Sequence, residues 1–350
     1  MNTPHVNDDN KEDAVVSISE VAESAGVSRT TVSHTLSGKR PVSDSVRQRV
    51  LDAMQSLGYV PSRTAQNLAT GQTRILALVV PDIGNGFFAE LAKGVEATAV
   101  QRGYNVILCT TGFDQEREMQ YLNMIKSRAV DGIVYAAGSP PTDEELARLL
   151  GTMPLIFVDE EIPGTVFGSV VSDNYEGGRL VAEHLLKLGH RGAVVLSVEG
   201  DPATSDRRVA GFTDAWTIAG MDAPLRGVGD YTGERGRTAI RPHLDALRSG
   251  EATAVFATND LMAFGVLNEL RSAGIRVPED VSVVGFDDAP AAGYSYPGLS
   301  TVRQNVLGLG STATNALLDA LERRERPSGE QISLPVQFIE RDTTAARRPR

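Results

Sequence analysis

Ser17-Ile-Ser-Glu-Val-Ala-Glu-Ser-Ala-Gly-Val-Ser-Arg-Thr-Thr-Val-Ser-His34 is the stretch on which the reading of this chain turns, because it spells two short helices around a tight turn. Ser17 is placed to cap the first helix, and Glu20, three residues on, reaches back to close a capping box. Val21, Ala22 and Ala25 share the inner face, and Gly26 ends the helix. Ser28 caps a second helix in which Val32 and Leu36, four apart, point inward. Arg29, Thr30, Ser33 and His34 are left outside. A helix laid in a DNA major groove reads base edges from residues near its N-terminus, and arginine to guanine is the commonest such contact. Arg29, Thr30 and His34 fit that role, with Ser28, Thr31 and Ser33 alongside.

Downstream, Ser43 caps a third helix from about Asp44 to Leu57, with Val46, Val50, Met54 and Leu57 on one face and Gly58 as its stop. Tyr59-Val-Pro-Ser-Arg-Thr-Ala-Gln-Asn-Leu-Ala-Thr-Gly71 follows. Pro61 and Ser62 open a run of helix formers too short to be stable unaided, so it folds only when something holds it.

The segment from Ile18 to Ala69 resembles the headpiece and hinge of the LacI/GalR family of bacterial transcriptional regulators, and the resemblance continues nearly to the end of the chain. It implies a hinge helix lying in the minor groove beside its dimer mate, with Leu68 wedged between central base pairs. Apolar wedges of that kind kink DNA. Ser62, Arg63 and Asn67 are the accompanying DNA-facing positions.

A length of 350 residues suggests two or three globular units. The net charge of −11 argues against a chain that coats nucleic acid uniformly, yet the charge is uneven. Between Val15 and Arg74, seven basic residues face four acidic ones, a surplus of +3, so the remainder carries −14. That split suits a small DNA-facing module on an acidic sensor. Met1 to Ala14 reads as a disordered, polar leader rather than a secretory signal, and no apolar run is long enough to span a bilayer, so a cytoplasmic protein is expected. The single cysteine, Cys109, sits in an apolar strand-like run and reads as core filler. His184 and His190 read as surface helix and loop residues.

From Arg74 onward the pattern alternates. Arg74 to Pro81 is an apolar run of the buried parallel-strand type, and a helix from Phe88 to Arg102 follows. Strands are expected at Tyr104 to Cys109, Gly132 to Tyr135, Leu155 to Val158, Ala193 to Ser197, Ala254 to Ala257 and Ser282 to Phe286. Helices are expected at Asp114 to Arg128, Asp143 to Leu150, up to Leu188, Arg207 to Ala219, Glu234 to Arg248 and Leu261 to Ala273. Such alternation makes βαβ units, and there are too many for one ordinary sheet, so two similar parallel-sheet lobes are expected. The resemblance implies a core like that of periplasmic binding proteins, with the chain crossing between lobes near Ser172, Gln304 and Pro335. The expected divisions are a leader (1–14), an all-α helix-turn-helix headpiece (15–60), a hinge (61–73), one lobe from 74–172 and 304–334, the other from 173–303 and 335–343, and a tail (344–350). In this scheme a helix from Leu307 to Arg324 returns to the first lobe and a last strand, Val336 to Arg341, joins the second.

Ligands of open parallel sheets bind beyond the carboxyl ends of the strands. Phe87, Phe88, Asp159, Asn259 and Asp287 all follow strands, and Arg208 is read at the start of its helix. One guanidinium among carboxylates, an amide and aromatic faces suits a hydroxyl-rich ring. The resemblance sharpens this: Arg208 in Arg-Val-Ala-Gly-Phe212, Asn259 in Ala-Thr-Asn-Asp260 and Asp287 in Val-Val-Gly-Phe-Asp287 match effector-contacting positions of sugar-responsive members. Thr204, Tyr231 and Gln304 are secondary candidates with Asp159. The purine-responsive branch usually lacks asparagine where Asn259 stands and has arginine where Pro202 stands, so a sugar, polyol or related metabolite is implied as the small-molecule effector.

Enzyme readings find little support. Gly227-Val-Gly229-Asp-Tyr-Thr-Gly233 misses the dinucleotide spacing, and there is no Walker lysine, nucleophile elbow or metal-ligand spacing. No cofactor or metal is expected. Adjacent Asp287 and Asp288 are poorly disposed as an acid/base pair. A secreted solute-binding protein would need an export signal and no headpiece. The chain therefore reads as a ligand-controlled repressor that binds a pseudo-palindromic operator as a homodimer, with a corepressor-dependent, purine-type regulator as the alternative. The C-terminal residues show no leucine heptad that would tie dimers into tetramers. If Leu68 is the wedge, Leu68→Ala will weaken operator binding and reduce DNA bending while leaving effector affinity intact; unchanged bending in a gel or scattering assay would remove that assignment.

Overall fold

The box at Ser17 closes as its spacing requires. The Glu20 amide donates to Ser17 Oγ at 3.4 Å and the Ser17 amide donates to Glu20 Oε2 at 2.7 Å, starting α1 (Ile18–Ser24). Gly26, at φ 63°, turns the chain into α2 (Arg29–Ser37), where Ser28 Oγ accepts from the Thr31 amide at 3.0 Å. In this computed structural model, which describes residues 16–37, 40–59, 72–126, 129–136, 141–162, 164–198 and 203–347, α1 and α2 pack with α3 (Asp44–Leu57) around Val21, Ala22, Ala25, Val32, Val50 and Ala53. Two details differ from expectation. Ser43 holds the N-cap position of α3, but its hydroxyl pairs with that of Ser45 instead of a backbone amide. Leu57 is exposed, because Ala53 rather than the last turn supplies the buried contact.

Residues 74–350 form a separate unit. Its first sheet is parallel, in the order β11-β5-β4-β3-β1-β2, from β1 (Ile75–Val80), β2 (Asn105–Thr110), β3 (Gly132–Tyr135), β4 (Leu155–Val158), β5 (Gly168–Ser172) and β11 (Gln331–Leu334). Strand alternation sorts its side chains. Leu76, Leu78, Val134, Ile156 and Val170 pack under α4 (Gly86–Gln101) and α12 (Val306–Arg323), whereas Ala77, Val79, Cys109, Ile133 and Phe157 pack under α5 (Gln115–Lys126) and α6 (Asp143–Leu150). Both faces of β1, β3 and β4 are covered, which is why those strands read as unbroken apolar runs.

The second sheet, β7-β6-β8-β9, consists of β6 (Ala193–Val198), β7 (Leu225–Gly229), β8 (Ala254–Ala257) and β9 (Ser282–Val284). On one face lie α7 (Asn174–Lys187) and α8 (Ala203–Ile218); on the other lie α9 (Gly233–Ile240), α10 (Leu244–Ser249) and α11 (Asp260–Ser272). A short antiparallel pair, β10 (Thr301–Arg303) with β12 (Gln337–Ile339), completes this lobe. The chain passes between the sheets after β5, before α12 and after β11, since β5 pairs with β11 but β12 pairs with β10.

Several elements escaped the sequence pattern. Strands β5, β7, β10 and β11 carry Gly, Arg, Gln and Ser among their apolar residues and are too short for periodicity to register. The helix expected over Glu234 to Arg248 is broken into α9, a 3-10 turn at Arg241–His243 and α10, because Pro242 cannot donate into a continuous helix. Helix α8 begins at Ala203, four residues earlier than expected, so Arg208 lies in its second turn.

The histidines also correct the surface reading. His190 is 3 % exposed, with Nδ1 2.8 Å from Thr253 Oγ1 and Nε2 3.2 Å from the Ala345 carbonyl; His184 Nε2 is 3.1 Å from Thr344 Oγ1. Both rings pack against residues 344–345 near the C-terminus. Burial, only partly offset by the bond to Ala345, pushes the His190 pKa down to about 4. The unfolded chain therefore takes up a proton near pH 6.5 that the folded chain refuses until about pH 4. Stability is expected to fall by roughly 3 kcal/mol at most as pH drops across that window, and then level off. His190→Gln should flatten the dependence, as read by urea titrations between pH 4 and 7.

Candidate functional site

Two glycines set the site's geometry. A Cβ on Gly178 would strike the Arg208 carbonyl and one on Gly211 would strike the Tyr175 carbonyl, so α7 and α8 touch backbone to backbone. That contact brings Asn174, the first residue of α7, against Arg208. The Arg208 Nε donates to Asn174 Oδ1 at 2.8 Å and Nη1 donates to the Thr258 carbonyl at 2.7 Å. The guanidinium lies 3.9 Å above the Phe286 ring centroid and 3.7 Å from Asp287 Oδ1, with only 4 % of the residue exposed. A buried cation persists only when paired in this way.

Arg208 forms part of the wall of a cavity of about 400 Å³ between the two lobes of the core. The structure brings all nine residues selected from the sequence to this cavity: Phe87, Phe88 and Asp159 from the first lobe, Thr204, Arg208, Tyr231, Asn259 and Asp287 from the second, and Gln304 from a crossing. Phe87 and Phe88 meet edge to face, 5.2 Å apart, at the start of α4. Asp159, Tyr231 and Asp287 adopt φ of 77°, 68° and 121°, a conformation unfavourable to side chains that bear a Cβ. Strain of this kind collects at ligand sites.

The polar groups are partly committed already. Asn259 caps α11, its Oδ1 accepting from the Met262 amide at 3.0 Å and its Nδ2 donating to the Tyr231 carbonyl at 3.0 Å, so it is a structural residue as well as a wall residue. Gln304 Nε2 donates to Asp287 Oδ1 at 2.8 Å, while its Oε1 is buried without a partner among the described residues. Thr204 Oγ1 donates across the cleft to Glu160 at 3.1 Å and lies 3.3 Å from the Tyr231 hydroxyl. Burial raises the Asp287 pKa to about 6 against the pull of Arg208, Gln304 and the Asp260 amide. Asp159 is driven well above the ordinary carboxylate range, first by burial and then by Glu160.

The sequence reading missed Asn85, Phe113, Glu160 and Asp230, which also line the cavity, and Asn174 behind it. Glu160 and Phe113 follow strands just as the chosen residues do, so the same rule would have reached them. Asn174 carried no signal except its place at a helix start.

In the N-terminal unit, Arg29 and Thr30 are exposed at the start of α2, and Ser33 and His34 are half-buried. Ser28 and Thr31 are tied to each other, Oγ to Oγ1 at 2.9 Å, and serve the cap. Ser62, Arg63, Asn67 and Leu68, together with Pro202, lie outside the described residues.

A helix-turn-helix unit joined in sequence to a two-lobed α/β core with an interlobe cavity is the architecture of a class of transcriptional regulators. Residues 17–62 match the model of bacterial regulatory proteins of the lacI family, and residues 182–344 match a periplasmic binding protein-like domain. The chain is 33 % identical over 335 residues to the HTH-type transcriptional regulator DegA of Bacillus subtilis, covering 94 % of this chain and 98 % of that protein. It is 31 % identical over 316 residues to the HTH-type transcriptional repressor PurR of Aliivibrio fischeri, covering 89 % and 93 %. Among solved structures it matches the lac repressor dimer bound to operator and the anti-inducer ONPF (TM-score 0.81, 29 % identity, 95 % of this chain and 99 % of that one). It also matches a LacI family transcriptional regulator from Enterococcus faecium with bound ribose (TM-score 0.70, 32 % identity, 78 % and 100 %). The chain belongs to the LacI family of bacterial transcriptional regulators. It is a regulator, as its relatives are, and not an enzyme.

The glycine contact makes a testable demand. Gly211→Ala should force α7 and α8 apart at a cost of about 1–3 kcal/mol and displace Arg208 from Asn174. Thermal unfolding will read the loss, and an unchanged Tm would show that the helices yield without cost.

Proposed function

We propose that the chain is a repressor that binds a pseudo-palindromic operator as a homodimer in the cytoplasm and answers to a sugar or sugar-like effector held between its lobes. The observation that carries this reading is the interlobe cavity, where a paired guanidinium, carboxylates and amides face Phe87, Phe88 and Phe113. Carboxylates accept hydroxyl protons, the arginine donates to oxygens, and aromatic faces cover the C–H side of a ring. The ribose in the Enterococcus structure supports the same class. The PurR relatives favour a second reading, a purine-type corepressor, in which the aromatic walls would stack on a base.

For operator binding, the exposed Arg29 and Thr30 at the start of α2 are the base readers, with His34 one turn on, and Ser62, Arg63, Asn67 and Leu68 belong to the hinge. A second copy suits the exposed apolar positions Ile107 and Leu108 on edge strand β2, and Tyr294 and Tyr296 in the loop before β10. Effector binding changes the relation of the lobes, and through the dimer the spacing of the two hinges. Among the described residues no helix is long and apolar enough to cross a membrane.

Arg208→Ala tests the site. Charge-assisted hydrogen bonds are worth about 1.5–3 kcal/mol each, so affinity for the effector found by thermal-shift screening of sugars, polyols and nucleobases should fall at least tenfold. Operator binding without effector should persist in the same variant. Equal affinity in calorimetry would place the effector elsewhere, and a nucleobase hit in the screen would favour the corepressor reading.

A further inference from the structure

The cavity wall holds four carboxyl groups, on Asp159, Glu160, Asp230 and Asp287, against one guanidinium. That guanidinium is already shared within the wall: its Nε and Nη1 serve Asn174 and Thr258, Asp287 lies 3.7 Å from Nη1, and Phe286 covers one face, which leaves Nη2 to donate to a ligand oxygen. Asp230 is turned to the Thr232 hydroxyl at 2.6 Å and amide at 3.0 Å, and Asp287 receives Gln304. Asp159 differs. It is 8 % exposed, and among the described residues no donor reaches its carboxyl, although Glu160, Asp287 and Arg208 all act on it electrostatically. Burying an ionisable carboxyl without a donor is costly, and a ligand that supplies donors and positive charge removes that cost.

Resting on the reading of this cavity as the effector site, we propose that it selects a ring bearing a protonated amine beside its hydroxyls, an amino sugar or amino polyol anchored on Asp159, and rejects the phosphorylated and uronic forms of the same ring. An ammonium brings three donors to a site rich in acceptors, and the aromatic side chains Phe87, Phe88 and Phe113 offer π faces that tolerate a cation. A phosphate or uronate would instead bring negative charge into a wall with four carboxyl groups, where the one guanidinium among the described lining residues already faces Asp287.

Calorimetry on the full chain at pH 7 decides this with matched sets: glucose, glucosamine, glucose 6-phosphate and glucuronate, and the corresponding four forms of galactose and mannose. The expected result is that at least one amine binds ten times or more tightly than its neutral parent, while the phosphate and uronate of that ring bind more weakly than the parent. Asp159→Asn should reduce the amine's advantage over its neutral parent below threefold. Asparagine tolerates the φ of 77° at this position, so the variant should fold. A neutral form that binds as well as its amine, an anionic form that binds better than its parent, or an amine advantage that survives in Asp159→Asn would overturn the inference and leave the sugar-effector reading standing. Silence from every member of every set would count against both.

Discussion

The buried guanidinium of Arg208 organises the core's functional geometry, because satisfying it requires groups from three separate parts of the second lobe. Asn174 comes from the start of α7, the Thr258 carbonyl from the end of β8, and Asp287 from beyond β9. An unpaired charge at this depth would cost several kcal/mol, so the three segments are held in one arrangement or the fold suffers. Phe286 closes the remaining face at 3.9 Å and itself fits against Gly177, where a side chain would collide with its ring. The Gly177–Gly178 pair thus serves two contacts at once: one lets the ring in and the other lets α8 approach.

What was legible in the sequence follows from the physics of each element. The capping box at Ser17 and the apolar run at Ile75 are local signals, and both appear where the residues place them. Strands β7 and β11 are held by pairing with β6 and β5, a non-local effect that leaves no periodic trace in Leu225–Gly229 or Gln331–Leu334. Residues such as Asp159, Asn259 and Asp287 could be chosen because the ends of parallel strands converge on one side of a sheet. The commitments of those residues could not be foreseen. That Asn259 spends its amide on capping α11, or that Thr204 donates to Glu160 from the other lobe, depends on distances that only the packed molecule fixes.

Backbone strain and interlobe contacts meet at the cavity. Asp159, Tyr231 and Asp287 hold left-handed or nearby conformations, and each is anchored: the Asp159 amide donates to the Val170 carbonyl, the Asp287 amide to that of Val302, and the Tyr231 carbonyl accepts from Asn259 Nδ2. Such loops are over-determined by the sheets and cannot absorb a ligand by local rearrangement. Side-chain contacts join the lobes, where Thr204 meets Glu160 in the cavity wall at 3.1 Å and Arg207, half exposed, meets Glu161 at 3.5 Å. The Arg207–Glu161 pair, with its arginine half exposed, contributes little stability.

A ligand entering this site therefore meets a stiff wall on each lobe and a weak clasp between them. On the proposed reading, an effector that bonds to Asp159 on one side and to Arg208 and Asp287 on the other satisfies both together at one interlobe distance, and its binding energy is spent on the relation of the lobes. The three crossings, after β5, before α12 and after β11, are the segments that must accommodate the change. Gln304 stands at the middle crossing with its Nε2 on Asp287 and its Oε1 buried without a partner among the described residues, so one side chain ties the crossing directly to the cavity wall.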